Sequence, residues 1–346
     1  MSAEKVLEKD YLWQAFQLAR TAYQHPAQLQ QDSNTVLSKV PGDNFVVDRS
    51  WTAVPLGHQG IYVDPQSFQV VGGKATPQAA QVLRGAWGLP PEGDVCVLGF
   101  RGTDNAGHLE NWLSDADFFP TRVPDYYNCT GCKVHRGFLE AVEHFQAPDP
   151  RGDRDPMTLM EHLSNVKCDA STPTLITGHS LGGALAQIAT VALKEKYGLN
   201  VQGLVHFESP TVGDGAFNSH LSSIVPPVQV TNGLDPVPQL FPDASMTSIA
   251  FPPNGTQVYY SEKDKVICPP TMNPQTCALH LQPEPKDCQV PCGIRQHNGV
   301  EAWKVGDHCL YQGPDFGGLD ICAPSPAVKM KGDIAQSVLD AFKHAL

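Results

Sequence analysis

The sequence predicts an α/β fold: a central, mostly parallel sheet flanked by helices, with a Cys/Pro-rich loop elaboration near the C-terminus. Three observations predict it. Apolar strand-like runs alternate with helical patterns through the middle of the chain, as expected of right-handed β–α–β crossovers. Val95 to Phe100 is a continuous apolar run, the pattern of a strand buried on both faces. Proline and cysteine concentrate in residues 252–327, away from those runs. The 346 residues are 41% hydrophobic, ample for a buried core. No repeat or sharp composition break divides them, so residues 1–346 read as one domain.

Taken in order, residues 4–24 form an amphipathic helix, because Leu12, Phe16, Ala19 and Tyr23 recur at helical spacing and Pro26 lies beyond. Residues 45–82 hold short strands and turns, among them Trp51–Val54 and Gly60–Val63. After the 95–100 strand, Val134 to Phe145 starts as a strand end and becomes a helix. A Pro/Asp/Arg loop (147–156) leads to a short helix near 157–166. Thr174-Leu175-Ile176-Thr177 is the next strand, and Ala184–Leu193 the helix after it. Further strands follow at Gly203–Phe207 and Val228–Thr231. Residues 252–327 read as elaborated loop, and Lys331–Leu346 as a closing helix.

Bulk chemistry excludes some functions. The net charge is −12 with only 17% charged residues, which opposes binding to nucleic acid phosphates. No apolar run approaches the roughly 18 residues that span a bilayer. Met1–Lys5 is charged and lacks the apolar core of a secretory leader. The ten cysteines point the other way. Cys129 and Cys132 form one cluster, and six more lie between Cys268 and Cys322. That distribution suggests disulfides and a secreted, extracellular protein. The sequons Asn128-Cys129-Thr130 and Asn254-Gly255-Thr256 are compatible with secretion. A zinc site from Cys288, Cys292 and His297 is the rival reading of the late cysteines, weakened by the lack of a second close pair. Cys96, inside its apolar run, reads as a buried small hydrophobe.

The chemistry centres on Gly178-His179-Ser180-Leu181-Gly182-Gly183. A Gly-x-Ser-x-Gly pattern between a strand and a helix puts the serine on a sharp turn at the carboxyl end of the strand; an ordinary Gly-rich helix start is the alternative. Serine is a weak nucleophile and needs an imidazole base oriented by a carboxylate. Asp235 follows the 228–231 strand, where an acid is expected, although Asp-Pro also makes turns. In the chain order Ser, Asp, His of α/β-hydrolases, the base is one of His280, His297, His308 and His344. His308 is bracketed by apolar and aromatic residues (Cys309-Leu310-Tyr311) that could hold a loop. The oxyanion needs backbone N–H donors: Leu181, at the helix start, and a second loop, for which Phe100-Arg101-Gly102-Thr103 is placed. Thr103 offers its N–H and its hydroxyl.

Several blocks together resemble the fungal-type (class three) lipases. They are Phe100-Arg101-Gly102-Thr103, Asn111-Trp112-Leu113-x-Asp115, Val134-His135-Arg136-Gly137-Phe138-Leu139, the Ser180 pentapeptide, Ser209-Pro210-x-Val212-Gly213, and Asn232-Gly233-x-Asp235-Pro236-Val237-Pro238. They cover roughly residues 90–240, in that family's order. Asp307-His308-x-x-Tyr311 resembles the segment bearing its histidine. The resemblance implies an α/β-hydrolase fold, Ser180 as nucleophile, Asp235 as orienting acid, His308 as base, and Thr103 with Leu181 as oxyanion hole. It implies a lid over about 104–121, in which Leu109, Trp112 and Leu113 make one apolar face able to meet a lipid–water interface. It also likens Cys268 and Cys277 to a disulfide of secreted members.

Thr211 departs from the usual arginine, and a Cys-rich insertion over about 255–300 separates Asp235 from His308. The implied activity is hydrolysis of lipid carboxylic esters, acylglycerols above all, without metal or organic cofactor. The alternatives are phospholipids, short-chain esters or feruloyl esters as substrate, or a non-catalytic binding protein.

Overall fold

The computed structural model describes positions within 12–23 together with 45–52, 69–75, 93–103, 119–146, 158–165, 167–233, 235, 237–239, 255–260, 265–268, 308–311 and 319–322. The main sheet is built from β1 (Phe45–Thr52), β2 (Gln69–Ala75), β3 (Cys96–Phe100), β6 (Thr174–His179), β7 (Val201–Phe207), β8 (Pro227–Asn232), β9 (Thr256–Tyr260) and β10 (Lys265–Cys268), in that spatial order. Strands β3 to β9 of this row run parallel; β1, β2 and β10 are antiparallel additions at the edges. β4 (Pro120–Arg122) and β5 (Lys133–His135) form a small separate ribbon, and β11 (Leu310–Tyr311) with β12 (Leu319–Asp320) form another.

Period-2 alternation divides the side chains of the central strands between two cores. Cys96, Leu98, Phe100, Ile176 and Leu204 face one side. There they pack against α1 (Arg136–Gln146), α3 (Leu181–Val191) and α4 (Gly215–Ile224); α2 (Leu159–Asn165) joins the same layer. Val95, Val97, Leu175, Val205 and Phe207 face the other side, where Leu12, Phe16 and Ala19 of the N-terminal helical segment cover them. Strands such as β6 are buried on both faces because helices cover both. The helical spacing read from Leu12, Phe16, Ala19 and Tyr23 is thus a core face, all four being buried.

Two expectations are corrected. Residues 252–327 are not all loop: β9 and β10 extend the main sheet, and β9 pairs in parallel with β8. The segment Thr256-Gln257-Val258-Tyr259-Tyr260 is β-branched and aromatic, so its local preference is for strand. Cys96 is buried, but as half of a disulfide with Cys168. Its partner lies 72 residues away in sequence, so local pattern carried no sign of it. Helix α4, between β7 and β8, is an additional crossover helix. The closing helix over 331–346 and the strand at Gly60–Val63 lie outside the described residues, as does all of the Cys-rich stretch between β10 and His308.

Candidate active site

Ser180 occupies the turn between β6 and α3 with φ 57° and ψ −129°, a region that costs an L-residue about 1–3 kcal/mol. The surrounding structure enforces it. The Ser180 N–H donates to the carbonyl of Phe207 at 2.8 Å, and its own carbonyl accepts from Gly183 at 2.9 Å. A Cβ on Gly182 would strike the backbone carbonyl of Phe100, so only glycine lets α3 sit this close to β3. The hydroxyl Oγ is buried and has no hydrogen-bond partner among the described residues. Leu181 is the first residue of α3, and its N–H has no intrahelical acceptor.

Asp235 lies just after β8 and is buried. Its Oδ1 accepts from the Val237 N–H at 3.0 Å, which leaves Oδ2 to face His308 Nδ1 at 2.7 Å. A carboxylate only accepts, so Nδ1 donates in this contact and Nε2 is the ring nitrogen turned away from Asp235. Burial of the pair makes this contact strongly directional.

The His308 segment is held from four directions. Cys309 is disulfide-bonded to Cys322, and β11 pairs with β12. Asn232 Nδ2 donates to the Leu310 carbonyl at 3.0 Å. His179, next to Ser180, donates from Nε2 to the His308 carbonyl at 2.8 Å. That fixes the His179 tautomer, so its Nδ1 accepts the Tyr23 hydroxyl at 2.6 Å. Burial, and then the neighbouring His308, push the His179 pKa well below the ordinary histidine value. A neutral His179 ring lies 4.6 Å from that of His308.

Thr103 follows β3 and is buried, with Oγ1 unpartnered among the described residues. Its loop lies against the serine turn, since a Cβ built on Gly102 would sit 2.9 Å from Ser180 Cβ. The structure therefore bonds Asp235 to His308 directly and brings Thr103, Leu181 and Ser180 to one end of the parallel strands. Ser180 Oγ makes no hydrogen bond to His308.

Leu109, Trp112 and Leu113 lie outside the described residues, as do Cys288, Cys292 and His297. No group of side chains suited to a metal ion occurs among the described residues. Sequence reasoning missed the Tyr23–His179 contact, because Tyr23 reads simply as core, and missed the buried acid Glu208.

Residues 97–245 match the model of a family described as lipase (class 3). This segment is similar to the class 3 lipases. It is 32% identical over 149 residues to a lipase of Rhizomucor miehei, covering 42% of this chain and 37% of that protein. Over 150 residues it is 34% identical to secreted mono- and diacylglycerol lipase 1 of Fusarium solani, covering 42% of this chain and 39% of that one. The match thus spans under two fifths of the length of these curated relatives.

In three dimensions the chain is similar to the triacylglyceride lipase of Rhizomucor miehei, with TM-score 0.56 at 20% identity, covering 93% of this chain and 98% of that one. Lipase II of Rhizopus niveus gives TM-score 0.57 at 19% identity, with the same coverage. The matched segment therefore sits in an α/β fold similar to that of these two lipases, a mostly parallel sheet flanked by helices. No helix among the described residues is long and apolar enough to cross a membrane.

Proposed function

We propose that this protein is a serine ester hydrolase that cleaves lipid carboxylic esters, acylglycerols above all. The observation that carries the reading is the buried 2.7 Å contact between His308 Nδ1 and Asp235 Oδ2, beside a strained serine turn with an unpartnered hydroxyl. In the proposed cycle Ser180 Oγ attacks the ester carbonyl carbon while His308 Nε2 takes its proton. The N–H groups of Leu181 and Thr103, with the Thr103 hydroxyl, stabilise the oxyanion. The C–O bond to the alcohol then breaks, and His308 returns the proton to the leaving oxygen. Water, deprotonated by the same histidine, hydrolyses the acyl-enzyme and restores Ser180.

The lid over 104–121, with Leu109, Trp112 and Leu113 on its apolar face, belongs to this proposal, as does transient adsorption to a lipid–water interface. Secretion does too. It is supported by the three disulfides among the described residues and by relatives named as secreted.

The test is the initial rate against tributyrin, taken through its solubility limit. A jump in rate when droplets form is expected of a lid that opens at the interface. A smooth hyperbola would remove the lid from the account, and no hydrolysis at all would remove the activity.

A further inference from the structure

Glu208 carries two energetic costs at one position. It is fully buried, and it sits at φ 47°, in the left-handed region that favours glycine. A buried carboxylate costs several kcal/mol unless it is well hydrogen-bonded. Outliers of this kind persist where surrounding structure fixes them, and they cluster at functional sites.

The bonds around Glu208 run through the whole candidate site. Its residue directly follows β7, and the carbonyl just before it, that of Phe207, accepts the Ser180 N–H. Its own N–H donates to Val230 on β8 at 2.9 Å. Its Oε1 accepts the backbone N–H of Asn232. The Asn232 carbonyl in turn accepts the Asp235 N–H at 3.3 Å, and Asn232 Nδ2 donates to the Leu310 carbonyl at 3.0 Å. A continuous path of hydrogen bonds therefore links the serine turn, the acid turn and the histidine hairpin. Glu208 and Asn232 are its two junctions.

Resting on the proposed triad, we propose that Glu208 and Asn232 are positioning residues that hold Ser180, Asp235 and His308 in one register. Neither is a catalytic residue. Each acts through the backbone of the segments that bear the reacting groups. His308 lies 73 positions beyond Asp235 in the chain, and the Asn232 side chain ties its hairpin directly to β8. Misplacement by about 1 Å costs on the order of 100-fold in rate.

The test compares Glu208→Gly, Glu208→Gln and Asn232→Ala with the wild type. It uses p-nitrophenyl butyrate kinetics, thermal melts, and the downfield proton resonance of the Asp235–His308 contact. Glycine removes the carboxylate while relieving the positive φ; glutamine keeps an acceptor oxygen.

Glu208→Gly and Asn232→Ala are expected to lower kcat by about 10- to 100-fold, with KM within about threefold. They should also broaden or erase the downfield resonance. Glu208→Gln should stay within about fivefold of wild-type kcat and keep the resonance. A folded Glu208→Gly with wild-type kcat and resonance overturns the proposal. If that variant does not fold, wild-type values in Asn232→Ala overturn it instead. A wild type without esterase activity refutes the proposed function, while the resonance in the same variants still decides the positioning role.

Discussion

At Ser180 the fold imposes a backbone conformation that the serine would not choose, and does so through groups that cannot move. Its N–H is fixed by Phe207, and Gly182 is pressed against the Phe100 carbonyl. Ser180→Ala should therefore leave the fold unchanged and lower esterase kcat by about four to six orders of magnitude. Gly182→Ala should do more damage to structure. Its methyl group meets backbone, so a loss of about 1–3 kcal/mol is expected in urea unfolding.

Residues with a local signature are legible in the sequence. Ser180 stands in a short Gly-flanked motif, and Asp235 follows a recognisable strand. His308 was one of four candidates because its role depends on a contact across 73 positions. Glu208 left no trace in pattern or composition. Its meaning lies in a backbone angle and in a partner on the neighbouring strand.

The element that decides the site's geometry is the β11–β12 hairpin. Its disulfide closes a segment 13 residues long, and cross-links of that span stabilise by about 3 kcal/mol in the chain-entropy account. Replacing Cys309 and Cys322 together by serine leaves His308 held by its side-chain contact to Asp235, by Asn232 and by His179. The melting temperature should fall by several degrees and kcat by about tenfold, read from thermal melts and p-nitrophenyl butyrate kinetics. Unchanged kcat would show that the hydrogen bonds suffice.

Strands β6 to β8 and helix α3 were readable because buried parallel strands are apolar runs and helices repeat every 3.6 residues. β9 and β10 were hidden by proline- and cysteine-rich neighbours, although Val258, Tyr259 and Tyr260 are ordinary strand residues. Cys129 and Cys132, clustered in the sequence, form a disulfide just before β5.

Across the whole molecule, two cores on opposite faces of one sheet enclose polar groups that folding must keep neutral. His206 is buried on β7, and burial lowers its pKa to about 3; His179 is shifted in the same direction. Both are neutral when folded and ordinary when unfolded. Below about pH 6.5 the unfolded chain therefore binds more protons, and stability falls with pH, for His206 down to about pH 3. Each group contributes at most about 1.4 kcal/mol per pH unit in that window. Urea unfolding at pH 7 and pH 5 should show this loss, and His206→Leu should reduce the slope by about one proton. An unchanged slope would mean that His206 is not the group responsible.

The proposed nucleophile is tested most directly by treating the folded protein with a p-nitrophenyl alkylphosphonate and recording its intact mass and peptide map. One adduct per chain is expected on Ser180, abolished in Ser180→Ala and slowed at least 100-fold in His308→Ala. A natively folded protein that takes no adduct, or takes it at another residue, would contradict the assignment.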